Sequence, residues 1–288
     1  MQNGKTDCII STVYKLKELL KMNFSDMMKK IPAYILCVSL SLSLFTGCDK
    51  KEKNNSDDIL ASSFYSSEKE MSDYEVCCDE KSKYKDIANY KKPEKGDEII
   101  VMTIKDKGVV KIRLFPELLP RACANFAGLV KSGYYDGLSF HRVIKDFMVQ
   151  GGDPTASGKG GDSVWGSEFD GGFSKYLSNV SGALAYANSG GTSSDNSQFY
   201  IVTGKKYSKE QLNQYSTSYN IEFSKKAQEA YLENGGAPWL DNGNYTVFGQ
   251  VIEGLDIVKD VGNNTQTDED DRPVADVIIE KVTIEKYK

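Results

Sequence analysis

From Glu98 to Ile284 the chain is cut into short segments with period-two hydrophobicity, and that pattern constrains the fold more than any other feature. Glu98–Ile104 is a β-branched run, Lys105–Gly108 supplies a turn, and Val110, Ile112 and Leu114 alternate with Lys111 and Arg113. Alternation of this kind marks a strand buried on one face. Further strands are expected at Ser139–Ile144, Phe147–Gln150, Ala183–Ala187, Gln198–Val202, Thr246–Val251 and Val277–Ile284. Pro120 can open a helix whose Phe126, Leu129 and Val130 share a face and which Gly133 can end, and Leu255–Val261 fits a second. Many short strands with two helices predict a mainly β fold, a closed antiparallel barrel capped by helices.

The chain ahead of this region has a different texture. Residues 1–47 carry six Lys and three Asp or Glu, whereas the rest of the chain has a formal charge of −8. A basic start before an acidic body suggests a targeting segment and gives no reason to expect a nucleic-acid partner. Ile31–Phe45 is apolar and uncharged, and Lys29-Lys30 precedes it. Fifteen helical residues span about 22 Å, short of the ~20 residues that cross a bilayer. Residues 1–47 therefore read as a secretory signal peptide, with translation expected to start at Met27 or Met28. Leu44-Phe45-Thr46-Gly47-Cys48 resembles the bacterial lipobox, which implies that Cys48 is lipidated and becomes the mature N-terminus. The expected location is extracytoplasmic, on the cell membrane through that anchor; an uncleaved anchor helix is the alternative.

Residues 48–97 are dense in charge, Ser and Asn, with no lasting period, and predict a flexible linker after the lipidated cysteine. Cys77-Cys78 interrupts it, with a metal or redox role as the less favoured reading. None of the six cysteines forms a CxxC pair, and His141 is the only histidine. No metal site and no cofactor are expected. A hydrolase is disfavoured too, because no G-x-S-x-G occurs.

Three blocks carry chemistry: FHRVIKDFMVQGGDP at Phe140–Pro154, AYANSGGTSSDNSQFY at Ala185–Tyr200 and WLDNGNYTVFG at Trp239–Gly249. Their order and spacing resemble the cyclophilin family of peptidyl-prolyl cis-trans isomerases, over residues 98–288. The resemblance implies an eight-stranded antiparallel barrel with two capping helices, and rotation about Xaa-Pro bonds as the activity. That rotation has a barrier of ~18–20 kcal/mol, because the nitrogen lone pair is shared with the carbonyl. No bond breaks, so the chemistry calls for a donor aimed at the prolyl nitrogen and an apolar pocket, and for no nucleophile. By resemblance Arg142 is the donor, and Gln150 binds the substrate carbonyl and holds the arginine. Ala187 and Asn188 match the edge where the substrate backbone pairs, and Gln198 lines the groove. Phe147, Met148, Tyr200 and Leu240 match the proline pocket, and Tyr200 stands where Phe is usual, so its hydroxyl needs a partner. Tyr245 stands where many members carry His, which leaves a histidine role there without a residue. Trp239 matches the Trp associated with cyclosporin-type ligands. His141 neighbours Arg142 on a strand and should face away from the groove.

The implied partners are proline-containing segments of exported proteins, a cyclosporin-type ligand and the membrane; a monomer is expected. The alternative to an enzyme is a non-catalytic module or chaperone that holds proline peptides. Lys205–Pro238 exceeds the compact family pattern and predicts a helical insertion beside the groove, with Ser208 and Gln211 at capping-box spacing and a helix inside Ile221–Glu233 stopped by Gly235-Gly236.

Overall fold

A computed structural model describes residues 69–288. The signal-peptide and lipidation expectations, Cys48 included, lie outside the described residues. No helix among the described residues is long and apolar enough to cross a membrane.

Eight strands form one antiparallel sheet: β1 (Glu98–Ile104), β2 (Gly108–Leu114), β3 (Arg142–Ile144), β4 (Met148–Gly151), β5 (Ala183–Tyr186), β6 (Phe199–Val202), β7 (Val247–Glu253) and β8 (Ile279–Lys286). Their spatial order is β3-β4-β6-β5-β7-β2-β1-β8. The sheet curls into a half-barrel whose ladder stays open between β3 and β8, where a closed barrel was expected. The predicted strand Ser139–Ile144 is shortened to three residues, and a strand that short cannot extend the ladder around the seam. The backbone just ahead of it bridges the gap instead. Ser139 pairs singly with Ile278, Phe140 N–H donates to Val277 O at 2.9 Å, and Ile279 N–H donates to Leu138 O at 2.8 Å.

The core fills the inside of the curl. α1 (Pro120–Lys131) starts on Pro120 at its first turn and buries Ala122, Cys123, Phe126, Ala127 and Val130. Phe126 meets Tyr135, Phe199 and Phe248 at ring-centroid distances of 4.9, 5.5 and 5.3 Å. Two further helices, α2 (Lys209–Tyr219) and α3 (Lys225–Glu233), make up the insertion, and α4 (Leu255–Asn264) packs Val258 and Val261 inward.

The insertion forms as the spacing predicts. Ser208 accepts from Gln211 N–H while Gln211 caps the Ser208 backbone in return, which satisfies two donors at the start of α2. α3 ends as the glycine pair predicts: Asn234 is its last capping residue, and Gly235, at φ +85°, donates its N–H back to Ala230 O at 3.2 Å. Gly235-Gly236 serves the base of the insertion, where Gly236 bridges both Val180 and Lys205. A Cβ on Gly204 would lie 2.4 Å from the Gly236 backbone, so only glycine allows the two strands of the neck to close. A second small core forms here from Ile87, Val180, Tyr207, Leu212, Ala227, Ala230 and Tyr231.

Ile87 belongs to the stretch expected to be a flexible linker. The described part of that stretch, residues 69–97, is instead a strap laid on the domain. Tyr74, Ile87, Ala88 and Asn89 are buried. Cys78 N–H donates to Leu118 O at 2.8 Å, and Ala88 N–H donates to Tyr176 O at 2.7 Å. Asp86 accepts from the Ser224 hydroxyl, the residue that caps α3. Cys77 and Cys78 are free thiols, and Cys78 donates to Glu75 Oε2 at 2.9 Å. Burial, followed by the Glu75 carboxylate, pushes the Cys78 thiol up to about 12, which makes a reactive thiolate unfavourable. No cluster of His, Cys, Asp and Glu able to hold a metal occurs among the described residues.

Candidate active site

Strand register builds one wall of a groove. Arg142 on β3 stands opposite Gln150 on β4, Gln150 opposite Tyr200 on β6, and Tyr200 opposite Ala185 on β5. Directly opposed residues share a sheet face. Arg142, Gln150 and Tyr200 therefore form a row on the outer face of the half-barrel. The alternate row, Val143, Val149, Ile201 and Leu184, is buried in the core. The groove encloses about 460 Å³, in the usual range for a ligand site. Of the residues expected from sequence, Arg142, Phe147, Met148, Gln150, Ala187, Asn188, Gln198, Tyr200, Leu240 and Tyr245 all line it.

Trp239 does not line the groove. It sits in the turn Pro238–Leu240 with its ring 5.3 Å from Phe147 on one side and 5.6 Å from Tyr215 of α2 on the other. The insertion supplies the indole with an aromatic neighbour, Tyr215, next to the groove residue Phe147. Residues the sequence reading missed are Gly158, Lys159, Glu168, Ser189, Ser194 and Asn196. Four of the six are polar loop residues, and three belong to the AYANSGGTSSDNSQFY block or its edge, which was the available signal. His141 is buried. Burial lowers its pKa, so it is a neutral packing residue outside the groove.

The polar groups are already arranged. Arg142 pairs with Asp271 at 3.3 Å, and its side chain is 44% exposed. This pairing differs from the expected one with Gln150. The Gln150 amide donates to Gln198 Oε1 at 3.0 Å, and Gln198 donates to Gly160 O at 2.8 Å. Asp271 was not legible as a site residue because more than a hundred positions separate it from Arg142 in sequence; its carbonyl accepts from Val143 N–H at 2.8 Å, which brings it beside β3. Ala187 N–H donates to Gln198 O at 2.9 Å, which carries the β5–β6 pairing on to the groove edge. The Tyr200 hydroxyl donates to Asn179 Oδ1 at 2.7 Å, which meets the need the extra oxygen created. Tyr245 crosses the Tyr200 ring edge-on at 6.2 Å.

Behind the edge lies Asp195, fully buried. It accepts from Asn188 Nδ2 at 3.0 Å and from the Thr246 hydroxyl at 2.5 Å. Burial raises its carboxyl to about 7 despite these donors, and Asp170 adds to the rise. An unfolded aspartate titrates near ~3.9. The folded state therefore binds more protons between those values, and stability falls as pH climbs from about 4 through 7. The wild type minus Asp195→Asn difference in unfolding free energy should decline across that window, by an amount on the order of 4 kcal/mol. Urea titrations from pH 4 to 8 measure it, and a flat difference would rule out the buried acid as the cause.

The comparisons with known proteins agree with this geometry. The family model described as "Cyclophilin type peptidyl-prolyl cis-trans isomerase/CLD" matches residues 99–284. A protein of Staphylococcus epidermidis named "Putative peptidyl-prolyl cis-trans isomerase" is 45% identical over 190 residues, 66% of this chain and 93% of that protein. One of the same name from Staphylococcus aureus is 43% identical over 204 residues, 69% of this chain and 100% of that protein. The crystal structure of a cyclophilin type peptidyl-prolyl cis-trans isomerase of Cryptosporidium parvum, determined in the presence of the dipeptide Ala-Pro, has a TM-score of 0.51 and 28% identity, covering 66% of this chain and 99% of that one. The half-barrel, the groove on its outer face and these matches make the chain a member of the cyclophilin-type peptidyl-prolyl cis-trans isomerase family.

Proposed function

We propose that Arg142 drives the isomerisation by donating to the prolyl nitrogen as the amide twists, and that the substrates are segments of exported proteins met outside the cytoplasm. The observation that carries the site assignment is the row Arg142–Gln150–Tyr200 across three strands, in a groove that also brings together the apolar side chains Phe147, Met148 and Leu240. Phe147, Met148, Tyr200 and Leu240 receive the proline ring. Asn188 and the Ala187 backbone hold the preceding residues in extended form, and Gln150 donates to the substrate carbonyl. As rotation breaks amide resonance, the lone pair localises on nitrogen, and a guanidinium N–H fixed beside it stabilises the twisted state more than the planar one. Arg142 is permanently charged and offers five donors, so it can keep Asp271 while it turns a free N–H to the substrate. Trp239 leaves a cyclosporin-type ligand one fewer contact than the family pattern implies. Exchange NMR on a short Xaa-Pro peptide tests the reading: the full chain should accelerate cis-trans exchange, and loss of Arg142 should abolish most of the gain.

The export reading rests on Lys29-Lys30, the apolar Ile31–Phe45 and Thr46-Gly47-Cys48. Each buried methylene contributes ~0.8 kcal/mol, so two or three acyl chains would hold the protein on the membrane. Mass spectrometry of membrane-extracted protein should find an acylated Cys48 at the N-terminus, and Cys48→Ser should release the protein to the soluble fraction. An intact peptide spanning Leu44–Lys50 in the mature protein would refute the anchor.

A further inference from the structure

The insertion places aromatic rings in a line that begins at the proline pocket. Phe147 lines the groove. From it the ring centroids step 5.3 Å to Trp239, 5.6 Å to Tyr215 and 6.0 Å to Tyr219. Tyr207 braces the middle, 5.7 Å from Tyr215 and 6.4 Å from Trp239. On α2, Leu212, Tyr215 and Tyr219 recur at helical spacing and share one face. Leu212 is buried, yet Tyr219 is 47% exposed. The apolar face of α2 thus runs from the small core outward and ends on the half-exposed ring of Tyr219. A lone exposed ring would need no explanation. This one terminates a continuous stack that starts on the wall of the substrate groove.

The stack is also held to the pocket by polar links. Tyr231 of α3 donates to Asp241 Oδ2 at 2.6 Å, and Asp241 Oδ1 accepts from Asn179 N–H at 2.7 Å. Asn179 in turn accepts from the pocket residue Tyr200. The insertion is therefore fixed relative to the groove rather than free to swing, so its rings present a preset surface.

We infer that Phe147, Trp239, Tyr215 and Tyr219 form an extended subsite for the polypeptide substrate, taking an apolar or aromatic side chain a few residues from the proline on the flank that leaves over Phe147. The inference rests on the groove being the substrate site. Continuity with that groove selects the occupant: a chain seated in the pocket passes over the stack as it leaves. Extended chain advances ~3.3 Å per residue, so three steps of this length accommodate roughly five residues. Ring faces reward flat apolar groups and tolerate many sequences, which suits an enzyme acting on varied unfolded clients.

The test uses the full chain and peptides with one Xaa-Pro bond. One peptide has Ala at every flanking position, and two others carry a Phe two to five residues before or after the proline. Exchange NMR gives KM and kcat for each. One Phe-bearing peptide should be favoured at least ~5-fold, through KM, over the all-Ala peptide. Tyr219→Ser should remove that preference and leave the all-Ala peptide unchanged, while Tyr219→Phe should retain it. Because Tyr219 is exposed, neither change threatens the fold. Peptide affinity measured in Arg142→Ala protein should show the same preference, so a wrong role for Arg142 and a wrong subsite give different results. Equal rates for all peptides, or a preference untouched by Tyr219→Ser, overturns the subsite. So does sedimentation showing a dimer that Tyr219→Ser dissolves, since a second copy would then be the occupant.

Discussion

Replacing Arg142 with Ala should lower the acceleration of Xaa-Pro exchange at least ~100-fold, which is about 2.7 kcal/mol of barrier. The fold should barely notice. The Arg142 side chain is 44% exposed and its partner Asp271 40% exposed, and exposed pairs are typically worth ~0–1 kcal/mol. No buried charge is stranded by the change. For a domain of this size the melting temperature should therefore move by no more than about 3 °C. Arg142→Lys separates charge from geometry. It keeps the positive charge but loses the planar fork that binds Asp271 and a second acceptor together, so its activity should fall between the other two. Exchange rates equal in the parent and Arg142→Ala would remove the residue from the mechanism, whatever the family pattern implies.

A chain that starts at Lys95 should be markedly less stable than one that starts at Lys69, although both contain every groove residue. The strap's strongest hold is Asn89, fully buried. Its amide donates to Ser178 O and Gln250 Oε1 at 3.0 Å each, and its oxygen accepts from Ser178 N–H at 3.0 Å. Removing Asn89 leaves those groups on the barrel without partners, at roughly 1–3 kcal/mol for each one that water cannot reach. Tyr74 and Ile87 leave apolar surface behind them, and Asp86 no longer anchors the start of α3. Against a total stability of about 5–15 kcal/mol, a fall in melting temperature of at least ~5 °C is expected on truncation. Asn89→Ala in the full chain should reproduce a large part of it. Thermal unfolding followed by circular dichroism decides the matter, and equal midpoints for the two fragments would make the strap an ornament.

Local chemistry was enough for much of this protein. The alternation in β1 and β2, Pro120 at the start of α1, and the Ser208–Gln211 capping box each specify structure within a few residues of themselves, and each forms where the spacing puts it. The block from Phe140 to Pro154 carried Arg142, Phe147, Met148 and Gln150 into the groove, because a tight β3–β4 hairpin turns sequence neighbours into facing residues. The strap escaped notice for the opposite reason. Tyr74, Ile87 and Ala88 follow no period, so their burial is set by the shape of the barrel they cover and not by their neighbours in sequence. Asp271 reaches Arg142, and Tyr215 meets Trp239, only once separate segments have packed. The open seam is of the same kind: the sequence marks strands, but whether two edges meet depends on how far the whole sheet curls and on a three-residue β3 too short to finish the ladder. Periodicity and capping act over one or two turns of chain, and so the sequence determined the elements and the hairpin rim of the groove. Contacts between positions a hundred residues apart obey no local rule, and the tertiary structure alone decided them.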